Sequence, residues 1–339
     1  MAATIKDIAK RLNISVSTVS YALNGGPRPV PEDVRQRVLQ AAADLSYRPN
    51  RLARSLVTRR TFTVGVVPTE PTIHLAITPY FQGVLNGVMN EAEKYAQDVL
   101  ILTRYTVHRA DEMVNSLVDG RVDGAVFISP FANDPLFTAL QEREFPFVVT
   151  SAFVDGAPSY IADNGTGVYR AVRHLYDLGH RRIAHVTGRP VMEEGRGRRD
   201  HFVGITSELG IYDPELVVEG NFCHERGVEA AQELLTRGAS RPTAVFCAND
   251  DSAVGFIEGA WRLGLRVPDD VSVVGFDDAP ISTIMRPALT TVRQPFDRIG
   301  AGAMRGLLDL IEGRGTPAHE QFSTELVVRA STASPLEDK

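Results

Sequence analysis

The stretch NISVSTVSYALN, residues 13–24, lays hydroxyl groups over an apolar skeleton: Ser15, Ser17, Thr18, Ser20 and Tyr21 are interspersed with Ile14, Val19, Ala22 and Leu23. Hydroxyls on a short amphipathic segment suit nucleic acid. Thr18 and Ser20 can bond phosphate oxygens, which position a protein without reading sequence, while Val16, Ser17 and Tyr21 can meet base edges. A second polar set stands where apolar runs stop. Thr69 follows TFTVGVVP, Thr150 ends FPFVVT, Asn249 and Asp250 end TAVFCAND, and Asp277 and Asp278 end VSVVGFDD. Taken singly, each fits an Asx turn or a helix cap; taken together, they gather carboxylates and amides where a parallel sheet binds ligands.

Other chemistries lack their residues. The eight histidines show no HxxxH or HExxH spacing, and neither GxSxG nor GxxxxGK[ST] occurs. GRGR at 195–198 reads as a loop. Cys223 and Cys247 lack CxxC or Cys/His ligand spacing, which disfavours zinc and a disulfide framework; Cys247 falls in an apolar strand. Trp261 is expected on the apolar side of a helix, in the core. No catalysis and no cofactor are expected.

The elements that must carry these residues follow from periodicity. TIKDIAKRL pairs Thr4 with Asp7 as a capping box ahead of Ile5, Ile8, Ala9 and Leu12, the spacing of a first helix. NIS then turns, Ser15 caps a second helix over 16–23, and NGGPRP breaks the chain. A third helix is expected from Val34, Val38, Leu39, Ala42 and Leu45. Three short helices with a tight first turn make a helix-turn-helix module, whose second helix enters the major groove.

From residue 61 the pattern changes to short apolar strands alternating with helices. Strands are expected at 61–68, 98–103, 124–129 and 145–150, with helices at 82–96, 109–119 and 135–143. The pattern repeats with strands at 181–188, 243–250 and 271–278 and helices at 199–209, 225–236 and 251–263. Such alternation implies α/β architecture, here two Rossmann-like lobes with parallel sheets covered on both faces.

Charge divides along the same line. Residues 1–60 hold 11 Lys plus Arg against 4 Asp plus Glu, a net +7, whereas residues 61–339 hold 25 against 38, a net −13. A basic head suits a polyanion. With 43% hydrophobic residues the chain can bury a sizeable core. No run reaches the roughly 18 to 20 apolar residues of a membrane span, and the start lacks the apolar core of a secretory signal. The expected location is the cytoplasm.

TIKDIAKRLNISVSTVSYALNG followed by RQRVLQAAADLSYRPNRLARSL resembles the DNA-binding head of the LacI/GalR repressors over residues 3–57. The body is similar to that family's periplasmic-binding-protein-like effector domain, through DNGTGVYRAVRHLYDLGHRRIAHVTG, VFCANDDSAVGF and VVGFDDAPISTIMRPALTTVRQPFDRIG. The resemblance implies a head over 1–48, a hinge helix and linker over 49–60, a two-lobed effector and dimerisation domain over 61–331, and a tail over 332–339. It implies DNA contacts from Thr4, Ser15, Val16, Ser17, Thr18, Ser20, Tyr21, Asn24, Asn50, Arg51, Ala53 and Arg54, with Leu56 wedged into the minor groove at the operator centre. A helix below ~12 residues is marginal in water, so the hinge should fold only with a second copy and a narrow groove.

Two positions depart from the family. Tyr21 stands where many relatives have arginine, and Pro31 where they cap the third helix with serine. By the same resemblance Thr69, Arg198, Phe222, Asn249 and Asp277 bind the effector, Arg196 can exchange roles with Arg198, and Tyr80 and Phe81 join the pocket; Thr150 is added from its place at a strand end. Carboxylate, guanidinium and amide match a sugar's vicinal hydroxyls, and an aromatic ring covers its C–H face.

The expected function is a repressor that binds a pseudopalindromic double-stranded operator as a homodimer and is controlled by a small molecule, a sugar, between the lobes. A regulator tightened by a corepressor or a partner protein fits the same residues. A transporter's solute receptor fits the body but not the head.

Overall fold

The computed structural model describes residues 3–24, 28–47, 60–68, 78–103, 110–314 and 319–336. It divides into two compact units, 1–61 and 62–339.

In the first unit α1 (Ile5–Leu12), α2 (Val16–Asn24) and α3 (Glu32–Asp44) close on Ile8, Ala9, Val19, Ala22, Val38, Ala41 and Ala42. Thr4 begins α1 by donating its backbone N–H and its hydroxyl to the Asp7 carboxylate, each at 2.8 Å. Asn13, at φ 53, ends it in the left-handed region. Ser15 Oγ accepts the Thr18 N–H at 3.0 Å and bonds the Thr18 hydroxyl at 2.8 Å, so the expected cap of α2 is present. Pro31 precedes α3 with no side-chain cap, and Glu32 and Asp33 face the positive helix end instead. Arg11 and Asp44 tie α1 to the end of α3 at 2.7 Å. Leu39 departs from expectation: it is exposed, and Ala41 takes a core place.

The second unit has two six-stranded sheets. The first, in the order β11-β5-β4-β3-β1-β2, contains β1 (Thr63–Pro68), β2 (Asp98–Ile101), β3 (Ala125–Ile128), β4 (Phe147–Thr150), β5 (Ser159–Ala162) and β11 (His319–Phe322), all parallel. The second, in the order β12-β10-β9-β8-β6-β7, contains β6 (Ile183–Thr187), β7 (Val217–Glu219), β8 (Ala244–Cys247), β9 (Ser272–Asp277), β10 (Thr290–Arg293) and β12 (Glu325–Val327), the last antiparallel to its neighbour. The apolar runs are uninterrupted because both faces are covered. Val64 and Val66 face one core with Val126, Ile128 and Val148, whereas Val67 faces the other with Phe127 and Val149.

Helices α4 (Pro79–Lys94), α5 (Ala110–Val118), α6 (Pro135–Glu142) and α12 (Phe296–Ile311) pack on the first sheet. Helices α7 (Asn164–Asp177), α8 (Glu193–Glu208), α9 (His224–Leu235) and α10 (Asp250–Arg262) pack on the second. The short α11 (Ile281–Ile284) follows β9. The chain therefore crosses between lobes three times: after β5, between β10 and α12, and between β11 and β12. The first and third crossings are bonded together, with Thr324 Oγ1 donating to Asp163 O at 3.0 Å and Asp163 N–H to Phe322 O at 2.8 Å.

Two readings of the sequence need correcting. GRGR lies inside α8, which starts six residues before the expected helix at 199. Trp261 is 52% exposed on α10 and is no part of the core, which takes Ala253, Phe256, Ile257 and Ala260 from that helix. Cys247 is buried in β8 as expected. Among the described residues no helix is long and apolar enough to cross a membrane, and no group of three His, Cys, Asp or Glu could hold a metal ion.

Candidate functional sites

On the head, the first turn of α2 leaves Val16 39% exposed. Ser17 is exposed beside it, while Thr18, Ser20 and Tyr21 are half-buried around the rim. Val19 and Ala22 point into the core. This is the division a reading helix needs, one stripe packed and the other offered outward. Thr4 and Ser15 are exposed at the helix starts, each already bonded within its cap. Asn24 ends α2. Asn50, Arg51, Ala53, Arg54 and Leu56 lie outside the described residues.

On the body, backbone in the left-handed region collects after strands. Ser129 follows β3 at φ 50, Ser151 follows β4 at φ 63, Phe222 lies beyond β7 at φ 60, and Asp277 and Asp278 close β9 at φ 127 and 57. Non-glycine residues held there cost of order 1–3 kcal/mol each and cluster at functional sites. Of these, Ser151 lines the cavity between the lobes, and Phe222 and Asp277 lie beside Arg198. From lobe 1, Tyr80 enters near the start of α4 and donates to Thr150 Oγ1 at 3.2 Å. Its hydroxyl also bonds the Ser151 hydroxyl. Burial pushes the Tyr80 phenol above its ordinary range, and the charge of Glu194 adds to this.

From lobe 2, Arg198 of α8 is buried. Its Nε donates to Asn164 Oδ1 at 2.9 Å and its Nη1 to Ala248 O at 2.6 Å, and its guanidinium lies 3.8 Å from the centre of the Phe276 ring. Asp277 Oδ1 is 3.9 Å from it and accepts the Gln294 amide at 2.7 Å. Burial pushes the Asp277 carboxyl up to about 6, against the pull of Arg198 and Gln294. The tip of the Phe222 ring lies over Gly188, with the Arg198 guanidinium 5.7 Å from its centre.

Several strand-end residues take the structural role. Asn249 caps α10 by accepting the Ser252 N–H at 3.1 Å, and its amide donates to Phe222 O at 3.0 Å, fixing the loop that carries the ring. Asp250 accepts from Ala279 N–H at 2.7 Å and from the Thr291 hydroxyl at 2.5 Å. Asp278 pairs with Arg293 at 2.6 Å and with Arg329 at 2.5 Å. Two expected pocket residues are not brought there. Phe81 is buried in the lobe 1 core, because one step along α4 turns it about 100° from Tyr80. Arg196 is exposed, two residues from Arg198 and so on the far side of α8. Thr69 lies outside the described residues.

The cavity itself is lined by Ser151, Phe153, Ile161, Ala162, Asn164, Glu193, Glu194 and Gln294 and measures ≈ 30 Å³. That is room for water, whereas ligand pockets are typically ~300–1,000 Å³. A ligand must therefore part the lobes or displace these side chains. Glu194, Ser151, Asn164 and Gln294 were missed from sequence. Glu194 alone left a signal, since it stands four residues before Arg198 and would share its face once the segment is helical.

Residues 4–50 match the family model "Bacterial regulatory proteins, lacI family", and residues 172–332 match "Periplasmic binding protein-like domain". The HTH-type transcriptional repressor PurR of Erwinia tasmaniensis is 33% identical over 344 residues, covering 99% of both chains. This chain belongs to the LacI family. PurR of Yersinia pestis (strain Pestoides F) is 35% identical over the same coverage. Among solved structures, a lac repressor dimer bound to operator and the anti-inducer ONPF superposes with a TM-score of 0.87 at 27% identity, over 98% of this chain and 100% of that one. The transcriptional regulator CelR in complex with cellobiose gives 0.76 at 30%, over 97% and 99%. The chain is accordingly a DNA-binding transcriptional regulator of the repressor type, with a helix-turn-helix head and a two-lobed effector-binding body.

Proposed function

We propose that this LacI-family regulator represses transcription by binding a pseudopalindromic operator as a homodimer, and that a sugar bound between the lobes releases it. The head is assigned to residues 1–48, the hinge to 49–60 and the effector domain to 61–331, and the protein works in the cytoplasm, where its operator is. Val16, Ser17 and Tyr21 read base edges. With no Arg or Lys on α2, they favour thymine methyls over a bidentate guanine contact. Arg51 and Arg54 bind phosphates, and paired Leu56 side chains wedge the central step open.

The observation that carries the effector reading is the buried Arg198–Asp277 pair at 3.9 Å, set beside the Phe222 ring. A buried guanidinium and carboxylate held apart, with an aromatic face alongside, suit the hydroxyls and C–H face of a sugar. The CelR complex with cellobiose and the lac repressor dimer with operator support the two halves of the proposal.

The test is a thermal-shift screen of mono- and disaccharides, phosphosugars and nucleobases, followed by operator titrations with and without each hit. Coupling of ~1 to 3 kcal/mol, or roughly 5- to 150-fold, is expected and is reciprocal between the ligands. Arg198→Ala and Asp277→Ala should still bind operator but no longer respond. Equal operator affinity with and without every hit would reject the switch.

A further inference from the structure

Helix α8 begins with two carboxylates that reach across to the other lobe. Glu193 Oε2 accepts the Phe153 backbone N–H at 2.8 Å, and Glu194 lines the same cavity as Ser151, whose hydroxyl donates to Tyr80. Both glutamates line the 30 Å³ cavity. Among the described residues lining that cavity none is cationic. The nearby guanidinium, Arg198, gives its Nε to Asn164 and its Nη1 to Ala248 O, and its charge is opposed by Asp277 at 3.9 Å and by Glu194. Arg196 points away, and Arg199 is paired with Asp200 at 2.8 Å.

We propose that Glu194 sets the charge class of the effector, so that the cleft admits neutral or amine-bearing polyols and excludes phosphorylated or carboxylated ones. The inference rests on the reading of the cleft as the effector site. A ligand that enters this cavity must displace or bond to the carboxylates of Glu193 and Glu194 that line it. A hydroxyl or an ammonium group can donate to that carboxylate. A phosphate dianion has no proton to donate, and it brings more negative charge beside Glu193 and Glu194, between lobes where charges are screened less than at the open surface. Burial pushes Glu194 up to about 7, against the Ser151 hydroxyl and Arg198 and with the charge of Glu193. The added anion would raise it further, so at pH 8 an anion binds only against that repulsion or with uptake of a proton by Glu194.

The experiment uses the full chain and matched probes: glucose, galactose and mannose, each with its 2-amino and 6-phosphate forms, together with cellobiose, ribose and ribose 5-phosphate. Affinities come from calorimetric titration at pH 8. The expected result is that the sugars that bind are neutral or amine-bearing, with the phosphate form of each at least tenfold weaker. In Glu194→Gln the gap between neutral and phosphate forms should shrink by at least tenfold. A phosphate form binding wild-type protein as tightly as its neutral counterpart overturns the inference and leaves the effector reading standing. That ratio needs no variant, so misfolding of Glu194→Gln does not blunt the test. An unchanged ratio in a folded Glu194→Gln also overturns it. If no probe binds and none alters operator affinity, the sugar reading fails and this inference with it.

Discussion

The tip of the Phe222 ring rests on Gly188 so closely that a Cβ at position 188 would overlap the ring. Gly188 directly follows β6, and Phe222 is held from the other side by the Asn249 amide on its carbonyl. Gly188→Ala should therefore swing the ring out of the cleft while leaving the sheet intact. An aromatic contact is worth ~1 kcal/mol, so effector affinity should fall about fivefold, with ligand-free operator affinity unchanged. Titration of both ligands against the variant checks this, and undiminished effector binding would show that the ring makes no contact with it.

His185 gives the body an acid-sensitive point. Its ring stacks between Phe202 at 4.8 Å and Phe246 at 4.9 Å, Nδ1 bonds Phe246 O at 2.9 Å, and Nε2 is buried without a partner. Burial pushes it down to about 4 from 6.5. The unfolded chain thus takes up this proton before the folded one. The neutral ring's contribution is complete above pH 6.5 and is lost as pH falls through 4, on the order of 3 kcal/mol across that window. His185→Phe should remove that part of the acid dependence. Urea midpoints of wild type and variant should converge or cross between pH 7.5 and 4.5; parallel curves would mean His185 titrates normally.

Ser15 holds the entry of α2 through its bond to the Thr18 N–H. Ser15→Ala should cost the head about 1 kcal/mol, the usual value of such a cap. It should also loosen the turn that presents Val16 and Ser17. Hydrogen exchange in the full chain should quicken at α2 amides, and operator affinity should drop without a change in effector affinity. Unaltered exchange would show the cap to be idle.

How much of this was legible beforehand depended on what periodicity can report. The head and the strand–helix alternation were read because their apolar spacing is regular. The start of α8 was hidden because EEGRGRRD has no apolar residue until Phe202, so the stripe marks only the second half of the helix. With it went Glu194. Trp261 and Leu39 were misplaced for one reason: each directly follows a buried residue, Ala260 and Val38, and one residue of helix turns the side chain by about 100°. Phe81 was misplaced in the same way beside Tyr80. In the cleft, residue type alone could not tell Asp277, which faces the ligand region, from Asp278, which is held by two arginines.

The three crossings between lobes also set the order in which the molecule can be finished during synthesis. Five strands of the first sheet are made by residue 162, yet α12, which buries one face of that sheet, begins at Phe296, and the edge strand β11 comes later still. At ~5–20 residues per second the ribosome takes on the order of ten seconds to span that gap. Meanwhile Val64, Val66, Val126 and Val148 lack the α12 half of their core. A chain released after residue 295 should be cut readily by protease within 62–162 and resist it within 3–47. The helices of the head, complete by residue 44, have no such wait. Each unfinished chain thus carries a reading head before it has a body able to answer a ligand.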